Sequence, residues 1–479
     1  MPATSAATGR VERLAYVAAS TPGRVWIAVF SGAALVPSLG YLALPFALAI
    51  AVASFRTGWR RSIVSALAVA VCAVNLLPAK AGAYGLPAAA LLLGGGWIAG
   101  LLVWTRLRGR HALLVLHALA LAVLAAVCVA AGRTFLSGMT AAGLCALVPE
   151  LLWRSSYWIK WRQRQPSRAP VWQNLFTALP FLGAGGVPFG KGPGFFAKYE
   201  ASDSKTLAAS QVEGVRLLAL ALLWRGTDAV LQLALWGIRT SWLGSWRPFV
   251  RAPLPSMEML LRIPASFALW QRWGGLYGEL LHNIIALAFY GHTIVGIFCL
   301  LGFRIPRNTR APLAAATIVD FWARYYFYFK ELLMDFFFFP AFVRTSASPV
   351  LLRTLLATWA AAFVGNSYYH AALYAPVLAG GDAHGYRSLV LARLVYCGLL
   401  ATGLSLSFAR ALKKPQRVRQ KVPRVPRAGQ FLLVATFFAA IHVWNYGGAP
   451  IPLERRWHLW KTLVGMDTNI RPARAYSGR

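Results

Sequence analysis

Charge is what this chain has least of. Only 13% of its 479 residues are Asp, Glu, Lys or Arg, while 58% are hydrophobic; a soluble domain carries about a quarter charged residues. Too few polar side chains remain to cover a water-facing fold, so a soluble domain is excluded and the bilayer must act as solvent. The five cysteines (Cys72, Cys128, Cys145, Cys299, Cys397) lie in apolar runs without CxxC spacing. That excludes zinc ligation and a disulfide framework and leaves them as small hydrophobes. No internal repeat is visible. No GxSxG elbow, Walker loop, HExxH or GxGxxG occurs in a usable context. His282 and His292 share one apolar segment but lack a third ligand, so no metal site is expected. A cleavable signal peptide is also missing: Arg10, Glu12 and Arg13 precede a stretch with no clear cleavage site.

What is there is a series of apolar stretches. They run over 25–55, 62–78, 85–105, 111–132, 135–153, 215–237, 276–303, 312–340, 350–378, 387–411 and 428–446. A segment of about 17 to 25 apolar residues crosses a bilayer, and the first stretch is long enough for a short hairpin. The fold class expected is all-α: a polytopic membrane protein with about 10–12 membrane-embedded helices, some re-entrant.

Acidic residues number 14 against 49 basic ones, a formal net charge of +35. The basic residues cluster between apolar segments, as at Arg56, Arg60 and Arg61 or Arg106, Arg108 and Arg110. If the early segments cross in pairs, these clusters share one face, which the positive-inside rule makes cytoplasmic. The excess suits anionic lipid headgroups; without a basic-aromatic module it does not point to nucleic acid. Arg455, Arg456 and Lys461 near the C-terminus fit this parity poorly.

The chain divides into a short cytoplasmic start, 1–24, and one membrane domain, 25–479, with its motifs concentrated in 276–378. The Trp/Arg-rich stretch 153–170 has the composition of an interfacial element, with rings at headgroup level. FLGAGGVPFGKGPGFF (181–196) holds too many breakers for a continuous helix and reads as a re-entrant loop. Residues 200–214 read as an exposed loop entering a helix. Residues 238–275 read as surface-lying helices, and 412–427 as a basic linker between two last helices.

The ionisable residues inside apolar segments are the functional candidates. His370 follows Asn366, Ser367, Tyr368 and Tyr369 in an otherwise apolar run. On position alone, a structural histidine bonded to a neighbouring carbonyl explains it well. Phe321 to Pro340 reads FWARYYFYFKELLMDFFFFP, followed by FVGNSYYH ending at His370. This resembles the membrane-bound O-acyltransferase (MBOAT) family, whose bacterial members carry FWRRWHxxxxxWLRDYxYxP and then a GLWHG-like box. Phe321, Trp322, Arg324, Asp335 and Pro340 fall on that pattern, and His370 falls on its histidine. Upstream, YGHTIVGIFCLLGFRIPRN (290–308) resembles the family's YSDMAIGLARLFGFRLPEN, with Gly291 and His292 replacing Ser-Asp. Tyr326 stands where the family commonly has His, Asn or Asp, and Tyr369 and Ala371 flank the histidine in place of Trp and Gly.

The resemblance implies a divergent member of the alginate O-acetylase and D-alanyl-transfer branch, in a bacterial cytoplasmic membrane. It would move an acyl group, acetyl for example, from a cytoplasmic thioester to a hydroxyl of an envelope saccharide, lipid or metabolite. His370 would be the general base, with Asn366 and Tyr326 orienting substrates. Arg324 would meet donor phosphates, with Lys191 as a second cation and Trp322, Lys330 and Asp335 lining the site. If the backbone breaks from a straight helix, Lys330 is placed to pair with Asp335. No bound cofactor is implied; acyl-CoA or an acyl-carrier thioester is the co-substrate. Membrane lipid and an extracytoplasmic acyltransferase are the expected partners. Two other readings stay open: a degenerate scaffold of the same fold, and a transporter with Glu150, Asp228 and Glu279 as its relay.

Overall fold

The structure is a computed structural model describing residues 14–76, 112–132, 138–164, 171–238, 254–413 and 428–466. It is about 83% helical with almost no sheet, so the all-α expectation holds. Among the described residues, six helical segments are long and apolar enough to cross a membrane: Thr21–Phe55, Ser204–Trp236, Leu269–Leu300, Val350–Ala379, Ala383–Leu412 and Ala428–Asn445. The chain fits a multi-pass membrane protein. Of the other stretches read as spans, the described parts of 62–78 and 111–132 are helical (to Leu76 and from Ala112), and from Gly138 the stretch 135–153 belongs to a longer helix. The stretch 85–105 and most of the linker 412–427 lie outside the described residues.

The chain forms two compact units. The first comprises Met1–Leu223, Phe289–Asn308 and Leu378–Gly381. It contains α1 (Thr21–Leu39), α2 (Ala43–Phe55), α3 (Arg60–Leu76), α4 (Ala112–Gly132) and α5 (Gly138–Arg164). Ser20 caps α1, its Oγ accepting from the Gly23 amide at 3.1 Å. Here one expectation fails. Residues 153–159 are no headgroup-level element but a buried stretch of α5, with Trp153 and Trp158 at most 1% exposed. Composition cannot tell a ring packed on protein from one at an interface. Arg154, 3% exposed, faces Glu150 at 3.5 Å within the same helix.

The glycine-rich segment is irregular, as read. It makes a two-residue hairpin, β1 (Gly183–Ala184) against β2 (Val187–Pro188), and then α6 (Pro193–Tyr199). Gly186, at φ +78°, permits the turn, and its amide donates to Glu150 Oε1 at 3.0 Å. After it, α7 (Ser204–Trp236) starts at the reciprocal pairing of Asp203 and Thr206: each backbone amide donates to the other's side chain. Gln211 on α7 donates to Ser54 Oγ at 2.6 Å and to the Leu300 carbonyl at 3.1 Å. Glu213 pairs with Arg307.

The second unit comprises Trp224–Ala288, Thr309–Val377 and Asp382–Arg479. Within 238–275 the described part is not surface-lying throughout: α8 (Met257–Arg262) buries Met257, Leu260 and Leu261 completely. The spanning helix α9 (Leu269–Leu300) begins two turns before the apolar run, because Trp270 to Gly274 continue its backbone. Next come α10 (Ile318–Tyr325), α11 (Phe327–Leu333), α12 (Phe339–Arg344) and α13 (Val350–Trp359). Then follow α14 (Asn366–Leu373), α15 (Ala375–Ala379), α16 (Ala383–Lys413), α17 (Ala428–Asn445) and α18 (Leu453–Leu463). Phe321 stacks on Phe438 with centroids 3.9 Å apart, tying α10 to α17 in the unit's core.

A second polar feature joins α7, α9 and α17. His282 Nδ1 and Asp228 Oδ1 lie 2.6 Å apart, and Gln232 donates to the same carboxylate at 2.6 Å. One turn away, Asn283 meets His442 Nε2 at 3.2 Å.

Arg456, one of the three C-terminal cations that fit the charge parity poorly, is set apart from the others by its surroundings. It is 0% exposed, and its guanidinium donates to the carbonyls of Val443 at 2.6 Å, Tyr446 at 2.9 Å and Ile451 at 3.3 Å. These are the end of α17 and the turn after it, where carbonyls lose their helical partners.

Candidate functional site

The motif segment is not one helix. Thr317 caps α10, accepting from the Asp320 amide at 3.0 Å, and the helix breaks at Tyr326 (φ −137°, ψ 83°). After α11 comes a π turn, Met334–Phe338, and a second, Ala360–Gly365, leads into α14. The two π turns pack on each other. At Gly365 an added Cβ would stand 2.6 Å from the Phe337 ring. Each π turn adds a residue to the helical repeat and re-aims the side chains beyond it. That sets the face on which Asn366 and His370 emerge.

Those two are four residues apart and share that face. Asn366 is 1% exposed, and among the described residues neither its Oδ1 nor the buried His370 Nδ1 has a hydrogen-bond partner. The His370 ring stacks on Tyr374 (6.0 Å, 20°), with Tyr369 at 5.0 Å and Phe329 at 6.4 Å. Tyr326 reaches this group through Phe329, its ring 5.6 Å away.

Sequence reading missed Arg393. It lies in the spanning helix α16, 8% exposed, and its Nε donates to the Tyr374 hydroxyl at 2.7 Å. Its Nη1 is buried and unbonded. A single arginine within the apolar run SLVLARLVYCGLL was the signal that could have exposed it.

The remaining candidates separate. Trp322 and Lys330 line an apolar cavity of about 230 Å³ together with Met334, Phe338, Leu404 and Phe408. Lys330 pairs with its immediate neighbour Glu331 at 2.7 Å, a partner the sequence did not single out. Asp335 sits in the first π turn. Arg324 pairs with Asp320 one turn back at 2.7 Å, which occupies the guanidinium expected to meet phosphate. Lys191 belongs to the other unit, in the glycine-rich turn.

The chemistry follows from the open atoms. A buried polar atom left unbonded costs about 1–3 kcal/mol, and lipid offers no water to satisfy it. Asn366 Oδ1 accepts; His370 Nδ1 accepts or donates with its tautomer. Together they suit a hydroxyl. No known family model matches this chain. No curated protein matches it either.

Proposed function

We propose that the protein is a membrane-bound O-acyltransferase of the MBOAT type. The observation that carries the reading is the pair of buried, unbonded atoms on α14, Asn366 Oδ1 and His370 Nδ1. In this reading the acceptor hydroxyl lies between the two and turns its one hydrogen from Asn366 Oδ1 to the unprotonated His370 Nδ1 for reaction. His370 takes its proton as the oxygen attacks the thioester carbonyl; the C–S bond then breaks, and the imidazolium returns the proton to the departing thiolate. Histidine suits the task because its ordinary pKa lies near neutrality. Tyr326 supports the wall that holds His370, through Phe329.

The cavity beside Trp322 and Lys330 suits the acyl chain. Its 230 Å³ exceeds the roughly 150 Å³ that accommodates benzene in an apolar protein interior. Lys330 is the cation nearest that cavity for a donor thioester, acyl-CoA or an acyl carrier, while Arg324 serves the local fold through Asp320. The setting we infer is a bacterial cytoplasmic membrane, with lipid around the chain and an extracytoplasmic acyltransferase as partner where the acceptor is an exported saccharide.

A transporter is the second reading. Asp228 and Glu279 both lie near His282, as a relay would require, while Glu150 belongs to the other unit. The experiment uses membranes expressing wild type or His370→Ala, radiolabelled acetyl-CoA or a longer acyl-CoA, and native envelope extract. Ester label with wild type alone supports the enzyme. Equal label from both, with both proteins folded and acceptor present, refutes it.

A further inference from the structure

Among the described residues of the second unit two arginines are buried, and they are not alike. Arg456 spends its donors on three backbone carbonyls. Arg393 has one hydroxyl, Tyr374, two aromatic rings (Tyr374 at 5.5 Å and Tyr396 at 5.9 Å) and an unbonded Nη1. No carboxylate among the described residues forms an ion pair with it. A guanidinium stays charged in proteins, and an unpaired charge among apolar groups is strongly destabilising. Such a residue persists where something outside the chain supplies the anion.

The neighbours say what else that ligand carries. Tyr374 holds Arg393 on its hydroxyl side and stacks on His370 with its ring face. On the same face as His370, Asn366 Oδ1 waits for a donor. A complementary ligand therefore offers an anionic oxygen to Arg393 and a hydroxyl that donates its one hydrogen to Asn366 Oδ1, beside His370 Nδ1. We propose that Arg393, Tyr374, Asn366 and His370 form a binding site for a hydroxy acid, its carboxylate on Arg393. A carboxylate matches the planar guanidinium. The proposal goes beyond acyl transfer and rests on the open atoms alone. If acyl transfer also holds, the hydroxy acid is the acceptor class.

The test measures thermal unfolding of the full chain in detergent with no acyl donor present, so its failure is distinguishable from failure of acyl transfer. The probes are 3-hydroxyoctanoate, octanoate and the neutral 3-hydroxyoctanamide. Wild type should show a saturable rise of about 2 °C or more with hydroxyoctanoate, less with octanoate, and none with the amide. Arg393→Gln should lose the response while unliganded Tm stays level or rises, since an unpaired charge has gone. Arg456→Gln, the structural control, should lose unliganded Tm. Asn366→Leu should keep the octanoate response but lose the added effect of the hydroxyl. Equal responses to acid and amide, no response in wild type, or an unchanged response in Arg393→Gln would overturn the proposal. So would a loss of unliganded Tm in Arg393→Gln as large as that in Arg456→Gln.

Discussion

Replacing Arg456 by methionine removes a helix cap that in sequence is only one of several C-terminal cations. Three carbonyls, of Val443, Tyr446 and Ile451, accept from one guanidinium at 2.6, 2.9 and 3.3 Å. Hydrogen bonds to charged groups contribute about 1.5–3 kcal/mol each, so their sum is an upper bound. Methionine fills similar space and removes a buried charge, which offsets part of that loss. The carbonyls of Val443 and Tyr446 lose that donor, while Ile451 O still accepts from Ser388 Oγ at 2.7 Å. A net loss of about 3 kcal/mol follows, which for a chain of this length lowers Tm by about 3–6 °C. Arg456→Lys, which reaches one carbonyl at most, should recover less than half.

The same residue makes a pH prediction. Burial holds the Arg456 guanidinium below its ordinary value, at about 10. A base whose folded value is depressed opposes folding at every pH below that value, and the opposition fades only as pH rises from about 10 towards the ordinary arginine value. Between pH 6 and 9 its charge state is constant in both folded and unfolded chains. The Tm difference between wild type and Arg456→Met should therefore be flat over that range, measured by differential scanning fluorimetry in one detergent. A difference below 1 °C, or one that varies across that range, would refute the capping argument.

Three further outcomes are expected. Gly365→Val places a Cβ 2.6 Å from the Phe337 ring; overpacking of this kind costs about 1–3 kcal/mol, and the lowered Tm should come with lost ester formation because α14 is displaced. Asp228→Ala deprives His282 and Gln232 of their common acceptor, a loss of about 3 kcal/mol, whereas Asp228→Asn should cost less; comparing their Tm values checks this. Ala361→Phe fills the cavity between Trp322 and Phe408, so transfer from long acyl-CoA should fall at least tenfold while transfer from acetyl-CoA is spared, as read from labelled ester.

Apolar length was the legible part of this fold. The run 387–411 became α16, Ala383–Lys413, and 428–446 became α17, Ala428–Asn445, because a helix in lipid has no alternative way to bond its backbone. Likewise 181–196 declared its irregularity through glycine and proline. The stretch 153–170 misled because Trp and Arg are used alike at an interface and in a tight protein interior. What decides between them is which rings oppose Trp153 and Trp158, a non-local fact.

The site shows the same division more sharply. His370 and Asn366 could be singled out as polar residues in an apolar run. Their common face could not be placed against the rest, because the turns before them are π, and one shifted hydrogen-bond register rotates everything downstream. Arg324 was read as open to phosphate and Lys330 as a partner for Asp335; the structure pairs them with Asp320, one turn back, and with the adjacent Glu331. Arg393 and Arg456 present the reverse case. In sequence Arg393 stands alone in an apolar run, while Arg456 follows Glu454 and Arg455. What separates them is three carbonyls at the end of α17, which make one a structural cap, and the lack of any ion-pairing carboxylate among the described residues around the other. Function in this unit is therefore best sought where hydrogen bonding is left unfinished, at Arg393, Asn366 and His370, rather than where the charges are most numerous.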